Sequence, residues 1–131
     1  MTSSIERFNK YVLKLVDIVD SSTDLDKSYK QYINDFYKTT LNNFPTILLD
    51  NIGPVLKKNN EFIKNQNDDL LKQIILEINL SYKDKDESFK QELTGIIQTL
   101  QNKWNDYSLE EKNIVFKIFK ILLIEYNKFN N

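Results

Sequence analysis

Cysteine and histidine are both absent from the 131 residues of this chain. Without cysteine there can be no disulfide, no thiolate metal site and no cysteine nucleophile. Without histidine the chain also lacks the commonest general base and a frequent metal ligand, which excludes a catalytic triad of the serine, histidine and aspartate type. We therefore expect neither enzymatic activity nor a bound cofactor or metal.

Glycine and proline are scarce, with two residues of each. Gly53 and Gly95 lie too far apart to build a glycine-rich phosphate loop, so no nucleotide-binding motif is present. An excess of positive charge is missing as well, because 18 basic residues stand against 19 acidic ones and the formal net charge is -1. Binding to nucleic-acid phosphates usually needs a basic excess, so this balance does not favour it.

Long uninterrupted apolar runs are also missing. Glu6, Arg7 and Lys10 interrupt the N-terminal segment, which is not the pattern of a secretory signal, and we expect an intracellular protein. Lys117 and Lys120 interrupt the apolar C-terminal segment, which is too short to span a bilayer. The sequence thus predicts no transmembrane segment.

Apolar residues recur every three or four positions along most of the chain, which is typical of amphipathic helices. We expect an all-α fold in which residues 1–131 form a single helical domain, a compact bundle of five to six helices. Gly53 and Pro54 predict a break or kink in the third segment, and the charged stretch 83–88 predicts a solvated connection. The apolar stripe of the first helix consists of Ile5, Phe8, Val12, Leu15 and Val19.

Capping patterns mark two of the helix starts. Ser3 with Glu6 and Ser108 with Glu111 have the spacing of a capping box, in which the serine and glutamate side chains bind the first free backbone N–H groups. The second box predicts the start of a final helix. Trp104 comes just before this box, and we expect it to close the bundle as a core residue.

Carboxylate pairs are the remaining route to acid–base catalysis or metal binding. Asp68 with Asp69, and Glu110 with Glu111, stand at predicted helix N-termini, where carboxylates stabilise free N–H groups and the helix dipole. That structural role is favoured over catalysis. The third group, Asp84, Asp86 and Glu87, lacks the ligand spacing and turn glycine of a calcium loop, so solvated charge is the better interpretation.

The predicted helix at about 68–82 is apolar on two sides. Leu76 and Leu80 point away from the stripe formed by its other apolar residues, at 100° per residue. Either this helix is central in the bundle or the two leucines contact another chain. The central position is favoured, because a helix that is apolar all round is usually buried.

The final helix raises the same question. Lys117 and Lys120 lie on its outer side, Ile124 falls among the lysines, and Phe116 and Ile121 lie at the margins. These five residues, together with the two outward-pointing leucines, form a candidate interface for a protein partner or for self-association. The alternative is that Ile124 is a single exposed aliphatic residue, which needs no partner. The predicted core face of the helix consists of Ile114, Val115, Ile118, Phe119, Leu122, Leu123, Tyr126 and Phe129.

The stretch 100–129, LQNKWNDYSLEEKNIVFKIFKILLIEYNKF, combines a tryptophan, a short polar turn, a Ser-x-Glu cap and an apolar helix that ends near a tyrosine. It resembles the C-terminal region of small helical proteins of nucleocytoplasmic giant DNA viruses. Those proteins often have a tryptophan and a tyrosine–leucine pair in the last helix, where this chain has Phe116, Phe119 and Lys120. The resemblance implies a viral origin and an all-helical fold, and it implies no activity and no catalytic residue.

These observations favour a non-enzymatic interaction or structural module that acts by protein–protein contact, in the virion or on a host factor if the protein is viral. The alternative is a nucleic-acid-associated helical module in which Lys57, Lys58 and Lys64 gather in space. A third possibility is an amphipathic helix at 109–128 that lies on a membrane surface, although burial of its apolar side in the core is simpler.

Overall fold

Helices make up nearly all of the described backbone. The computed structural model describes the backbone of residues 3–21, 31, 35, 38–81 and 87–130, and the side chains of residues 3–18, 31, 35, 38–78 and 94–130. These ranges contain no β-strand, so the all-α prediction is confirmed. The connection predicted at 83–88 falls mostly outside them. The α-helices are α1 (Ser4–Ser21), α2 (Ile47–Lys58), α3 (Asn60–Lys64), α4 (Leu70–Ser81), α5 (Glu87–Lys103) and α6 (Leu109–Asn130). Residues 38–43 are also helical, and Trp104–Asp106 forms a short 3-10 helix.

The helices share one hydrophobic core. The most extensive packing between two helices is that of α1 against α6. Phe8 of α1 and Phe119 of α6 are fully buried at the centre of this core. Helix α4 packs mainly against α5 and α2, and α2 also packs against α6. Of the apolar stripe predicted for the first helix, Phe8, Val12 and Leu15 are buried and Ile5 is partly buried, while the side chain of Val19 lies outside the described ones. Helical periodicity therefore identified the buried side of α1 correctly.

Helix α2 continues through the Gly53–Pro54 pair, so of the predicted break or kink the break is wrong and the kink stays a prediction. Proline inside a helix removes one backbone hydrogen bond and crowds the preceding turn. Here the residues on both sides of the pair, Ile52 and Val55, are buried in the core, and this packing holds the segment helical. Tertiary burial outweighs the local preference against helix at Pro54.

The break between α2 and α3 occurs instead at Asn59, which the sequence reasoning did not single out. Its side chain is buried, and its Nδ2 donates a hydrogen bond to the carbonyl oxygen of Val55 at 2.9 Å. Helix α3 then ends in a Schellman motif, with the N–H of Asn67 bonded to the carbonyl of Phe62 and Gln66 at φ 51°. Gln66 and Asn67 thus form the turn that leads into α4.

Trp104 is buried at the junction between α5 and α6, as predicted. Its indole Nε1–H donates a hydrogen bond to Oδ1 of Asp68 at 3.0 Å, which ties the junction to the start of α4. The ring makes edge contacts with Tyr107 and Phe116, with ring centroids 6.1 and 5.5 Å apart. The ammonium of Lys112 lies 5.4 Å from the centre of the indole ring. Trp104 therefore fixes where α6 begins.

The capping box predicted for the final helix is confirmed. The hydroxyl of Ser108 accepts a hydrogen bond from the N–H of Glu111 at 3.1 Å, and the Glu111 carboxylate accepts one from the N–H of Ser108 at 3.0 Å. At α1 the Ser3 hydroxyl accepts a hydrogen bond from the N–H of Glu6 at 3.1 Å. Both serines therefore act as helix caps.

Candidate interaction surface

The carboxylate pairs do not come together as an acidic site. Asp68 accepts the hydrogen bond of the Trp104 indole, and the N–H of Asp69 donates to Oδ1 of Asn67 in the turn before α4. Glu111 is engaged in the capping box. The side chains of Asp84, Asp86 and Glu87 lie outside the described ones. Across the described part of the chain, no three acidic groups are placed to hold a metal ion.

One side of α6 combines exposed isoleucines with lysines, and we call it the outer face of α6. Ile114 and Ile124 have 47% and 51% of their surface exposed there. Ile121 lies between them and is partly exposed. The outer face of α6 consists of Ile114, Lys117, Lys120, Ile121, Ile124 and Lys128.

The local sequence explains why α6 has two different sides. Val115, Ile118 and Leu122 follow the three-and-four spacing of one helical stripe, and all three are buried against the rest of the bundle. Ile114, Ile121 and Ile124 are displaced from that stripe by roughly a quarter to a half turn, at 100° per residue. The rest of the bundle leaves this side of α6 uncovered, so Ile114 and Ile124 are exposed and Ile121 is partly exposed.

The structure corrects the predicted register of α6 at three positions. Phe116, predicted at the margin of the interface, is only 3% exposed and packs against Trp104. Ile114 and Phe129, predicted on the core face, are exposed. The physical reason is that the Trp104 ring lies beside Phe116 in the core, so the buried side of α6 extends to include Phe116. Phe116 is therefore a core residue and no part of the outer face.

The central position favoured for α4 is wrong at Leu76, because this side chain is 53% exposed and the helix is not buried all round. The alternative, contact of Leu76 with another chain, stays a prediction. The side chain of Leu80, its predicted companion, lies outside the described ones. Helix α4 packs mainly on α5 and α2 and has little contact with α6. Leu76 is therefore an exposed apolar residue on a helix other than the one that carries the isoleucines.

The charge on the outer face of α6 is positive. Between residues 112 and 130 the only carboxylate is that of Glu125, and this side chain is buried. Its Oε1 pairs with Nε of Arg7 on α1 at 3.0 Å and with Nζ of Lys128 at 3.7 Å. Within the described ranges, Lys117 and Lys120 form no ion pair. Their charges are thus available to a partner.

The comparisons with known proteins give no match. No model of a protein family fits the chain, and neither the curated proteins nor the solved structures contain a similar one. The relation to giant-virus proteins therefore stays a prediction. Within the described ranges, no helix is sufficiently long and apolar to cross a bilayer.

The lysines of the nucleic-acid alternative lie on α2 and α3. Lys57 and Lys64 are exposed, and Lys58 pairs with Glu77 of α4, with Nζ and Oε2 3.4 Å apart. One of the three charges is thus already partly balanced by a carboxylate. Nucleic-acid binding stays a prediction that no geometric observation favours.

The sequence predicted no functional or structural role for Glu125 or Arg7. A signal for Glu125 exists in the sequence, because it lies seven residues after Ile118 and so falls on the same buried stripe. A carboxylate at such a position needs a cationic partner. The sequence does not reveal that this partner is Arg7, since the two residues belong to opposite ends of the chain.

Proposed function

We propose that this chain is a non-enzymatic protein-interaction module and that the outer face of α6 is its docking surface. The observation that supports this most is a row of isoleucines on a capped helix whose other side is anchored in the core: Ile114 and Ile124 are about half exposed, and Ile121 between them is partly exposed. Exposed aliphatic residues that occur singly are normal, but a row of them flanked by lysines is typical of a binding surface.

The chemistry of the chain supports the same proposal. Cysteine and histidine are absent from the sequence. Of the carboxylates weighed as catalytic groups, Asp68 accepts the hydrogen bond of the Trp104 indole and Glu111 belongs to the capping box. Of the clefts between the described helices, the central one is apolar, and an open one beside α1 is lined by the charged side chains of Glu6, Lys10, Lys14 and Asp17. Contact with another macromolecule is the function that fits these features best.

Site-specific photo-cross-linking in the cells that produce the protein tests the proposal. A benzophenone amino acid replaces Lys117 on the outer face of α6, and in a control it replaces Lys57, which is exposed on α2. We expect a discrete cross-linked protein from position 117 that is absent from position 57. The same product should be lost when Ile114 and Ile124 are both changed to serine.

Circular dichroism checks that the serine variant still folds, and because both isoleucines are about half exposed we expect it to. Equal cross-linking from positions 117 and 57, or cross-linking that survives the two serine substitutions, would contradict the use of this face. The test does not depend on the chemical nature of the partner.

A further inference from the structure

The outer face of α6 has the spacing of a helix-pairing seam. Positions 114, 117, 121, 124 and 128 alternate steps of three and four residues, which is the a and d pattern of two helices that pack side by side at about 20°. The row covers roughly 21 Å along the helix axis at 1.5 Å per residue. A second helix of about three heptads would cover it fully.

The residues of this seam also restrict the charge of the second helix. Ile114, Ile121 and Ile124 offer apolar contacts, while Lys117 and Lys128 occupy the two remaining seam positions. A lysine at a seam position selects partners that place a carboxylate opposite it. Lys120 lies beside the seam at a position that commonly forms interhelical ion pairs.

A second copy of this chain does not satisfy that requirement. If two α6 helices pair in parallel, Lys117 faces Lys117, and like charges in contact are unfavourable. If they pair antiparallel around Ile121, Lys117 comes opposite Ile124 and Lys128 opposite Ile114. In neither arrangement does Lys117 or Lys120 meet a carboxylate, because the Glu125 carboxylate is buried and already paired with Arg7 and Lys128.

An anionic membrane is a poorer match than a helix. A helix that lies in a membrane interface buries a wide apolar face among the lipid chains. The wide apolar face of α6 is occupied by the core, and the side left outside is a single row of isoleucines interrupted by lysines. The net charge of the chain is also -1, which gives little general attraction to anionic lipid.

We infer that the outer face of α6 binds an amphipathic α-helix of a different, acidic protein, with apolar residues opposite the isoleucines and carboxylates opposite Lys117 and Lys120. This inference rests on the proposed function and adds the chemical class of the partner. Affinity comes from the isoleucine contacts, while the two lysines set the choice of partner and its register.

Two synthetic helical peptides of roughly 21 residues serve as probes. Both carry leucines at heptad a and d positions, and they differ only in having glutamates or lysines at the flanking positions. Binding to the full chain is measured by fluorescence anisotropy, and the contact surface is mapped by amide chemical-shift changes. We expect the glutamate peptide to bind at least about tenfold more tightly, with shifts along residues 113–128 and weaker binding at high salt.

Charge reversal on the protein provides the matched control. The Lys117→Glu/Lys120→Glu variant should reverse the preference and bind the lysine peptide more tightly. The Lys57→Glu/Lys64→Glu variant has the same net charge but changes exposed lysines of α2 and α3, and it should keep the preference for the glutamate peptide. Circular dichroism and unfolding curves confirm that both variants fold.

Four results would overturn the inference. Equal affinity for both peptides, or no binding of either, refutes an acidic helix as the partner. A dimer in sedimentation that is lost with Ile121→Ser identifies a second copy instead, and lysine-dependent binding to phosphatidylserine vesicles identifies a membrane. In each case the cross-linking comparison between positions 117 and 57 still decides separately whether the face binds another protein.

Discussion

The two glycines have opposite surroundings although both lie inside helices. A Cβ added at Gly53 of α2 would overlap the ring of Tyr126 on α6, whereas nothing lies within 4 Å of a Cβ added at Gly95 of α5. Gly53 therefore allows α2 and α6 to approach closely. Gly95 contributes only the conformational freedom that glycine brings to the unfolded chain.

This contrast leads to a paired prediction. Gly95→Ala should raise the free energy of unfolding by up to about 1 kcal/mol, since alanine is the better helix former and meets no neighbour. Gly53→Ala should lower it by about 1 to 3 kcal/mol, since the Tyr126 ring has to move. Urea denaturation followed by circular dichroism measures both changes. Two shifts in the same direction would contradict the assigned surroundings.

Helix propensity gives the cost of glycine in α5, but it does not give the need for glycine in α2. Helix propensity depends on a residue and its neighbours in the chain, so the cost of Gly95 can be estimated from the sequence. The contact of Gly53 with Tyr126 joins two segments that are distant in the chain. Such a contact is decided by the packing of the whole bundle, so the Gly53–Pro54 pair was misread as a break.

At the scale of the element, the start of α6 depends on its capping box. Ser108→Ala removes the side-chain acceptor for the Glu111 N–H and should lower the free energy of unfolding by about 1 kcal/mol. Ser108→Asp keeps an acceptor at the same place and should lose much less. Thermal unfolding of both variants measures the difference, and equal losses would show that the cap does not stabilise the fold.

The same helix illustrates how far an element can be predicted. The cap, the core role of Trp104 and the outward position of Ile124 followed from spacing alone, because they depend on residues within a few turns. The burial of Phe116 and the exposure of Ile114 did not follow from spacing. Both residues flank the apolar stripe, and local spacing does not determine which of the two flanks is buried. Contact with the Trp104 ring buries Phe116, and this contact depends on the direction that α6 takes after the preceding turn.

At the scale of the whole molecule, the helices α1, α2, α4, α5 and α6 meet around a small cavity of about 20 Å³. Its lining is apolar, so the space offers no hydrogen-bond partner to a water molecule. Val16 of α1 lines this space, while Val55 of α2 is equally buried but does not line it. The two valines therefore allow a matched test of packing at the centre of the bundle.

Val16→Ile should stabilise the fold by up to about 0.8 kcal/mol, the value of one additional buried methylene. Val55→Ile adds the same group where no space is present and should destabilise the fold by about 1 to 3 kcal/mol. Urea unfolding of the two variants under identical conditions gives the comparison. Equal destabilisation by both substitutions would mean that the cavity cannot accept a methylene.

The association of α1 with α6 includes the ion pair between Arg7 and Glu125, whose side chains are 36% and 6% exposed. Arg7→Met leaves the Glu125 carboxylate buried with only Lys128, at 3.7 Å, to balance it. We expect a loss of about 2 kcal/mol, below the ~3 to 5 kcal/mol of a fully buried pair, since Arg7 is partly exposed and Lys128 remains.

The double variant Arg7→Met/Glu125→Leu removes both charges and should regain most of that stability, because an apolar pair needs no compensation in the core. Arg7 makes a further contact besides this ion pair, so the double-mutant cycle is needed to separate the interaction of Arg7 with Glu125 from the rest. Simple additivity of the two single losses would show that the pair is not coupled. A regained stability would instead identify Arg7 as the counter-charge that allows Glu125 to occupy the buried stripe of α6.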